Sequence, residues 1–342
     1  MVTKIGLDLG YANITLSDVS SGIFREPSVA LVDKNTGRIL SLGEEAASTS
    51  IDGAIPVRPF KNGLLYSADM TRAIIANAIR AVMPAQKIRA LVALPSDFLP
   101  KQERELFSML SDAGVDEVFG VTRSAAALIG AGYSPSMSAI SVNIGARYTD
   151  ICVLHSGKVI LRSTDEVGGE AFDEAVRTYI LEQGDVNVSL SVARAIKEKI
   201  GSVWEGKPCE SIDIDGTLSL TGNRVRMNLT TEDVLGVFEK PLHALLLAVA
   251  NQVKKIPFEL VNDIFHNGIV LSGGGAMLYG LDKMIEKVLD VPVTLAQYPM
   301  DCVSRGLSRI NTFIPVRMRT NHKNITPQLA KYYENKKTSK QS

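Results

Sequence analysis

A strand–turn–strand pattern that occurs twice constrains the fold of this chain more than any other feature. The first copy alternates apolar and polar residues on both sides of Gly10, and the second copy does so on both sides of Gly145. The two turns lie 135 residues apart, and in each copy another glycine follows twelve positions later, at Gly22 and Gly157. The repeat predicts two related lobes, each opening with a β-hairpin, although two hairpins can also be alike by chance.

Strands alternate with helices between the two hairpins. Apolar residues recur at helical spacing over 70–83 and 101–113, whereas 90–94 and 118–122 are short apolar runs typical of buried strands. This alternation predicts an α/β architecture. A chain of 342 residues is long enough for about two domains, which agrees with two lobes.

A glycine triplet follows a buried strand late in the chain. The strand is predicted over 268–272, the loop is Gly273, Gly274 and Gly275, and a helix is predicted over 277–289. Glycines let backbone N–H groups approach a ligand with no Cβ in the way, and amides at a helix start attract anions. The spacing differs from that of the dinucleotide-binding fingerprint. A site for an anion or a nucleotide edge and a plain strand-to-helix turn both remain open.

The turns of the two hairpins are candidates for phosphate binding. A tight turn after a strand can present consecutive N–H donors to phosphate oxygens. Asp8 stands at the end of the first strand, where its carboxylate can either hold a hydrated Mg²⁺ ion or cap the turn. Two hairpins and a glycine loop drawn from both lobes together indicate a phosphate clamp.

Composition excludes several classes of protein. The 37 basic residues equal the 37 acidic ones, so the overall charge argues against a nucleic-acid partner. Three widely spaced cysteines and four scattered histidines form neither a disulfide framework nor a metal-ligand pattern, which suits a reducing cytoplasm. We expect neither a signal segment nor a membrane-spanning helix, because no apolar run is long enough.

Two segments bear on peripheral membrane contact. Residues 317–342 carry seven Lys or Arg and one Glu, so we expect 321–342 to be a disordered basic tail that stays solvated or touches an anionic surface. Val82 and Met83 lie between a predicted helix and a strand. They are either a small apolar loop tip at a membrane or ordinary core at a helix end.

Further motifs accompany the two hairpins and the glycine triplet in a fixed order. They are residues 5–13, 26–30, 33–37, 43–46, 58–63, 167–170, 173–175, 196–201 and 271–281. With these motifs the chain resembles the actin, sugar-kinase and heat-shock ATPase superfamily over about residues 4–310, and within it the bacterial rod-shape actin-like proteins of the MreB type.

The resemblance implies an actin-like fold of two lobes, each with a ribonuclease-H-like core, around a nucleotide cleft. The implied boundaries are lobe I at 1–136 and 300–320 with a small subdomain at about 29–69, and lobe II at 137–299 with one at about 181–231. ATP or ADP is the implied cofactor, with Mg²⁺ held indirectly by Asp8. Members of this family polymerise into protofilaments and work at the cytoplasmic face of the membrane.

The resemblance assigns nucleotide contacts to loops from both lobes. The assigned residues are Gly10, Tyr11, Ala12 and Asn13 in the first phosphate loop, Gly145, Ala146, Arg147 and Tyr148 in the second, Gly168 and Gly169 near the phosphates and ribose, Arg194, Lys197 and Glu198 beside the adenosine, and Gly273, Gly274, Gly275 and Ala276 closing over it.

Departures from the family fall on the catalytic positions. Asn143 stands where the second hairpin of the family carries Asp, Arg123 stands where a Glu positions the attacking water, and Tyr11 replaces a Thr. Arg cannot orient water as a carboxylate does, and losing one positioning carboxylate costs about 10²- to 10⁴-fold. Hydrolysis should be slow or absent, and Mg²⁺ becomes dispensable. Arg123 and Arg147 either neutralise a bound triphosphate or fill an empty cleft through salt bridges, for instance with Asp8.

We therefore expect an actin-like cytoskeletal protein that binds adenine nucleotide as a structural ligand and polymerises with itself. Its expected role is cell shape or intracellular positioning, in the cytoplasm or at the inner face of the cell membrane. One alternative is a soluble ATPase or kinase of the superfamily. The lack of a clear catalytic Asp in the second hairpin argues against a kinase. Another is a nucleotide-free regulator that caps or copolymerises with a second actin-like protein.

Overall fold

Strands and helices alternate along the chain, and most of the strands form two large sheets. The computed structural model describes residues 2–18, 22–61, 64–65, 68–82, 87–314 and 323–339. The elements up to residue 130 are β1 (Val2–Leu9), β2 (Asn13–Asp18), β3 (Gly22–Pro27), β4 (Ala30–Asp33), β5 (Ile39–Leu42), α1 (Gly43–Ser48), β6 (Ala54–Val57), β7 (Phe60–Lys61), β8 (Leu64–Leu65), α2 (Ala68–Val82), β9 (Lys87–Leu94), α3 (Pro100–Asp112), β10 (Glu117–Thr122) and α4 (Arg123–Gly130).

The remaining elements continue the alternation. They are β11 (Ala139–Ile144), β12 (Thr149–His155), β13 (Lys158–Asp165), α5 (Gly169–Gly184), β14 (Val186–Asn187), α6 (Leu190–Ile200), β15 (Ser211–Leu218), β16 (Arg224–Thr230), α7 (Glu239–Val253), α8 (Val261–Phe265), β17 (Ile269–Ser272), α9 (Leu281–Leu289), β18 (Val293–Leu295), α10 (Cys302–Asn311), β19 (Lys323–Asn324) and α11 (Leu329–Ser339).

Five strands of the first large sheet have the same topology as the five strands of the second. In the first, β1, β2 and β3 form an antiparallel meander, and β9 and β10 extend it in parallel from β1. In the second, β11, β12 and β13 form the meander, and β17 and β18 extend it in parallel from β11. The predicted α/β architecture and the doubled hairpin are both confirmed.

The turns of the two hairpins close in the same way. The Gly10 N–H donates to the Asn13 carbonyl oxygen at 3.0 Å, and the Gly145 N–H donates to the Tyr148 carbonyl oxygen at 2.8 Å. A Cβ on either glycine would approach that same carbonyl oxygen, to 2.7 Å at Gly10 and 3.0 Å at Gly145. Glycine at the strand end is therefore what allows each turn to be this tight.

Each half of the chain also carries a small sheet. Strand β4 pairs with β5 and β6, and β15 pairs with β14 and β16. These sheets lie within the ranges 29–69 and 181–231. The lobe boundaries given above stay a prediction.

Helices α4 and α10 cross at a pair of glycines. A Cβ on Gly130 would lie 1.8 Å from the Cys302 carbonyl oxygen, and one on Gly306 would lie 1.8 Å from the Ala126 carbonyl oxygen. The backbones can meet this closely only because both side chains are absent. The contact holds α4 against both sheets, since apolar residues of β9, β10, β11 and β12 share one buried cluster with the two helices.

The expectation of a disordered tail is wrong for residues 323–339. Strand β19 pairs in parallel with β10, and α11 follows it. Ile325 and Leu329 are buried in the cluster that α4 and α10 share, and the Thr122 N–H donates to Thr326 Oγ1 at 2.8 Å. Burial of these spaced apolar side chains holds the segment in place, while the lysines on either side of them keep it basic.

The C-terminal segment also reaches the second hairpin. Ala330 packs on Gly157 in the turn between β12 and β13, where a Cβ would lie 2.4 Å from the Ala330 Cβ. Ser136 Oγ donates to Glu334 Oε1 at 3.3 Å. Residues 323–339 therefore connect the first sheet with a turn of the second.

Over the part of the chain that the structure describes, no helix is both long and apolar enough to cross a membrane. Met83 lies outside the described residues, and of Val82 only the backbone at the end of α2 is described. Membrane contact at these two residues stays a prediction.

Candidate functional site

A cavity of about 640 Å³ lies between the two large sheets. Both hairpin turns and the glycine loop after β17 line it, so the structure brings together the three elements that the sequence analysis singled out. Small-molecule sites typically measure roughly 300–1,000 Å³. The cavity is large enough for a nucleotide-sized ligand.

Nearly all the residues assigned to a nucleotide line this cavity. Those that do are Gly10, Tyr11, Ala12, Asn13, Gly145, Ala146, Arg147, Tyr148, Gly169, Arg194, Lys197, Glu198, Gly273, Gly274 and Gly275, and Asp8, Arg123 and Asn143 join them. Gly168 and Ala276 do not. A Cβ on Gly168 would lie 2.8 Å from the Ala146 carbonyl oxygen, so this glycine serves packing against the second hairpin. Ala276 is buried behind the glycine loop.

Close packing explains two of the three glycines in the triplet. Gly273 has a φ of 84°, and a Cβ on it would lie 2.2 Å from the Ile144 carbonyl oxygen. A Cβ on Gly275 would lie 2.4 Å from Ile144 Cγ2. A Cβ on Gly274 would lie 3.9 Å from its nearest neighbour, Met300 Cγ. The missing side chain of Gly274 therefore leaves room in the cavity, whereas the other two glycines seat the loop on β11.

The helix predicted from residue 277 begins later than expected. A short 3₁₀ turn, Gly274–Met277, follows the strand, and α9 starts only at Leu281. The glycine loop therefore does not sit at the N-terminus of a regular helix. Any ligand at this loop would meet a tight turn rather than the first amides of α9.

The first amides of α5 are used within the protein. The Gly169 N–H donates to the Gly145 carbonyl oxygen at 3.0 Å, and the Glu170 N–H donates to the Ala146 carbonyl oxygen at 2.6 Å. These bonds satisfy N–H groups that a helix start otherwise leaves open. They also fix the second hairpin turn at the edge of the cavity.

A buried arginine joins two carboxylates on the side of the cavity that the two hairpins line. Arg123 Nε donates to Asp8 Oδ1 at 3.1 Å, Nη1 donates to Asp150 Oδ2 at 2.9 Å, and Nη2 donates to the Leu9 carbonyl oxygen at 3.2 Å. The Arg123 side chain is 13% exposed. Burial alone would lower the pKa of the Arg123 guanidinium, but Asp8 and Asp150 raise it above its usual value. The side chain therefore stays charged.

Arg123 is an unusual residue for its place in the fold. It is the first residue of α4, where the positive end of the helix dipole disfavours a cation. Side chains at a helix start point back beyond that end, here toward the ends of β1 and β12. The two carboxylates offset the unfavourable dipole.

Asp150 is a site residue that the sequence analysis missed. Its carboxylate also accepts hydrogen bonds from the Ser96 N–H at 2.8 Å and from Thr164 Oγ1 at 2.7 Å. A signal was present: Asp150 stands five positions after Gly145, as Thr15 stands five after Gly10. In the ladders Asp150 lies opposite Asn143, just as Thr15 lies opposite Asp8.

The arrangement does not fit the Mg²⁺ ion that the resemblance places near Asp8. Both nearby carboxylates, Asp8 and Asp150, are already paired with the Arg123 guanidinium, whose charge repels a second cation. Asn143 is uncharged, and its Nδ2 donates to Ser272 Oγ at 2.9 Å. Within the described residues no group of three or more His, Cys, Asp or Glu side chains is placed to hold a metal ion.

The opposite side of the cavity is organised by a second buried carboxylate, Asp173. Lys197 Nζ lies 2.6 Å from Asp173 Oδ1, and Arg194 Nε donates to Asp173 Oδ2 at 3.3 Å. Lys197 Nζ also donates to the Gly169 carbonyl oxygen at 3.0 Å. Asp173 thus fixes two cations that the sequence analysis assigned to the adenosine side.

Aromatic and basic side chains cover the space between the two hairpin turns. The rings of Tyr11 and Tyr148 meet edge to face with centroids 6.3 Å apart, and Arg58 and Arg147 lie over the Tyr11 ring at 5.2 and 5.4 Å. Arg147 also donates to Glu166 Oε1 at 2.7 Å, and this bond raises the pKa of its guanidinium. Arg147 is half-buried, with 35% of its side chain exposed, whereas Arg123 is 13% exposed.

Comparison with known proteins places the chain in a family. A sequence model described as MreB/Mbl protein matches residues 2–316. The cell shape-determining protein Mbl of Bacillus cereus (strain ATCC 10987) is 30% identical over 312 residues, which cover 88% of this chain and 93% of that protein. The cell shape-determining protein MreB of Escherichia coli (strain K12) is 29% identical over 318 residues, covering 88% and 91%.

Solved structures show the same fold. The crystal structure of MreB 5 of Spiroplasma citri bound to AMPPNP superposes with a TM-score of 0.85 at 23% identity, covering 91% of this chain and 96% of that chain. The MamK double helical filament gives a TM-score of 0.78 at 23% identity, covering 92% and 100%. The expected actin-like architecture is confirmed by these likenesses.

Proposed function

Because the chain belongs to the MreB/Mbl family, we propose that it is an actin-like cytoskeletal protein that binds adenine nucleotide and polymerises into filaments. Its role is cell shape or intracellular positioning. The relatives in support are named as cell shape-determining proteins, and a structural neighbour is a double helical filament.

The convergence of three loops on one cavity carries the nucleotide part of this proposal. Two hairpin turns and the glycine loop line about 640 Å³ of space, and an S. citri relative with the same fold is solved with AMPPNP and with ADP. The first and second hairpin turns hold the phosphates. Arg194, Lys197 and Glu198 flank the adenosine, and Gly274 leaves room for it.

Hydrolysis of the bound nucleotide is slow or absent. Arg123 occupies the position at which a carboxylate would orient water, and its five N–H groups can only donate. Asn143 supplies no charge toward a metal. Nucleotide therefore acts as a structural ligand that bridges the two hairpin turns, and polymerisation does not require its turnover.

The place of action is the cytoplasm, including the inner face of the cell membrane. All three cysteines are free thiols: Cys152 and Cys302 are buried and Cys209 is exposed. This suits a reducing compartment. Peripheral contact with the membrane would use the basic C-terminal residues or the segment around Val82 and Met83.

Sedimentation and electron microscopy of the purified protein test the central proposal. With ATP the protein should pellet and show filaments, and titration with ATP should give saturable heat. Liposomes with anionic lipid should increase the pelleted fraction if the membrane part is right. Protein that binds no nucleotide and stays in the supernatant under all conditions contradicts the proposal.

A nucleotide-free regulator of another actin-like filament is the second candidate. One observation favours it, namely the ion pairs of Arg123 with Asp8 and Asp150. These pairs neutralise the positive charge of Arg123, which the phosphates of a bound nucleotide would otherwise neutralise. Such a protein would pellet only together with filaments of a second actin-like protein. It would also give no heat on titration with ATP.

A further inference from the structure

Arg123 has hydrogen-bonding capacity left over in the cavity. Three of its five N–H groups are used by Asp8, Asp150 and the Leu9 carbonyl oxygen. One N–H on each terminal nitrogen remains for a ligand. The side chain lines the cavity together with both hairpin turns, the elements proposed to hold the phosphates.

The ion pairs of Arg123 engage the two carboxylates, Asp8 and Asp150, that could otherwise bind a metal ion. Asp8 and Asp150 are both paired with the guanidinium, and Asn143 adds no negative charge. A divalent cation would have to displace Arg123 from two carboxylates, one of which is only 2% exposed. A phosphate oxygen would instead add an acceptor to a cation that is already in place, which is a strong, charge-assisted contact.

We propose that the Arg123 guanidinium binds the nucleotide phosphates directly and takes the place of Mg²⁺, so that nucleotide binding does not depend on a divalent cation. The inference rests on the proposed nucleotide binding. The ligand is the metal-free anion of an adenosine di- or triphosphate. Arg123 is thus a phosphate-binding residue at a position where the family carries a water-positioning carboxylate.

Calorimetric titration with ATP in excess MgCl₂ and in excess EDTA tests this inference. The dissociation constant of the unaltered protein should differ by less than about threefold between the two conditions. Arg123→Gln should weaken binding in EDTA by about tenfold or more. It should also make binding depend on Mg²⁺, since it releases the carboxylates of Asp8 and Asp150. A role of Arg123 in packing alone would not create that dependence.

Arg25→Gln is the matched control for a general loss of positive charge. Arg25 also lines the cavity, but it pairs with Asp301 at 2.8 Å and does not contact Asp8 or Asp150. Its replacement should change the dissociation constant by less than about threefold in either condition. A loss equal to that of Arg123→Gln would overturn the assignment to Arg123.

Asp8→Asn supplies an independent variant should Arg123→Gln fail to fold. Removing the Asp8 charge frees Arg123 for phosphate, so ATP should bind a few-fold more tightly in EDTA. In a site that needs Mg²⁺ at Asp8, the same change would weaken ATP binding. The two models therefore predict opposite changes in affinity for Asp8→Asn.

The remaining outcomes separate this inference from the proposed function. Binding of the unaltered protein only in MgCl₂, or undiminished binding by folded Arg123→Gln in EDTA, overturns the inference and leaves nucleotide binding standing. Absence of binding in both conditions overturns nucleotide binding, and the inference with it.

Discussion

The backbone around the cavity and the charges inside it behave as two different kinds of structure. The turns at Gly10, Gly145 and Gly273 are shaped by contacts that would bring a Cβ within 3.0 Å of a carbonyl oxygen. The charges of Arg123 and Asp150, in contrast, satisfy each other without regard to a ligand. The difference teaches that a binding site can keep its shape while its chemistry changes, because packing resists substitution and internal ion pairs compensate for it.

Removal of the Asp150 carboxylate should have the largest effect. Asp150→Ala leaves Arg123, the Ser96 N–H and Thr164 Oγ1 without this acceptor, and breaking a buried ion pair costs about 3–5 kcal/mol. Asp8→Ala should lower the free energy of unfolding by about 1 kcal/mol. The Asp8 side chain is 19% exposed, and this substitution leaves Arg123 paired with Asp150. Urea unfolding measures both. Equal losses would show that the charged cluster is not centred on Asp150.

Substitutions in the glycine triplet should separate shape from room for a ligand. Gly273→Ala forces a Cβ onto the Ile144 carbonyl oxygen at a positive φ, so it should lower the free energy of unfolding by about 2–4 kcal/mol. Gly274→Ala would bring the new Cβ no closer than 3.9 Å to Met300 Cγ, an ordinary contact, and should cost less than about 1 kcal/mol. Thermal or urea unfolding of the pair provides the comparison. A stable Gly273→Ala protein would contradict the packing argument.

Placing carboxylates at residues 123 and 143 should increase ATP hydrolysis. The double variant Arg123→Glu, Asn143→Asp provides a group that can orient water and a second anionic partner for Mg²⁺. ATP hydrolysis, followed by phosphate release with MgCl₂, should rise by about 10- to 100-fold, or roughly 1.4–2.7 kcal/mol in the barrier. Arg123→Gln, Asn143→Asp is the control and should remain inactive. An already fast unaltered protein would contradict the account of Arg123.

Arg147 should matter least for stability. It pairs with Glu166, which is 56% exposed, and with Glu170 at 3.2 Å, and the Arg147 side chain itself is 35% exposed. Pairs so open to solvent contribute about 0–1 kcal/mol. Arg147→Ala should therefore lower the free energy of unfolding by less than about 1 kcal/mol, well below the loss for Asp150→Ala. If Arg147→Ala lost as much stability as Asp150→Ala in the same urea titration, the distinction between a half-buried Arg147 and a buried, paired Arg123 would be wrong.

Much of the cavity wall could be predicted from local sequence. Alternating apolar residues around Gly10 and Gly145 predict hairpins, and the turn glycines predict where they close, since both signals act over a few neighbouring residues. The sequence predicts the start of α9 too early, because the residues Gly274–Met277 form a 3₁₀ turn and the helix begins only at Leu281. Such short turns have no periodic signal.

The C-terminal segment shows why composition can mislead. Its lysines suggest a solvated tail, but Ile325 and Leu329 are buried against α4 and α10, and Ala330 against Gly157. A few apolar side chains at the right spacing outweigh charges that remain at the surface. Their burial partners lie far away in the chain, so the pattern alone did not reveal them.

Local patterns therefore specified the doubled hairpin and the glycine loop, and the family resemblance singled out the arginine at residue 123. Asp8 was already a candidate partner of that arginine, but only the folded chain added Asp150, because the two carboxylates reach Arg123 from two different sheets, 115 and 27 residues away. The hydrogen bonds of a hairpin turn join near neighbours in the chain, whereas an ion pair depends on which side chains the fold brings within about 3 Å of each other.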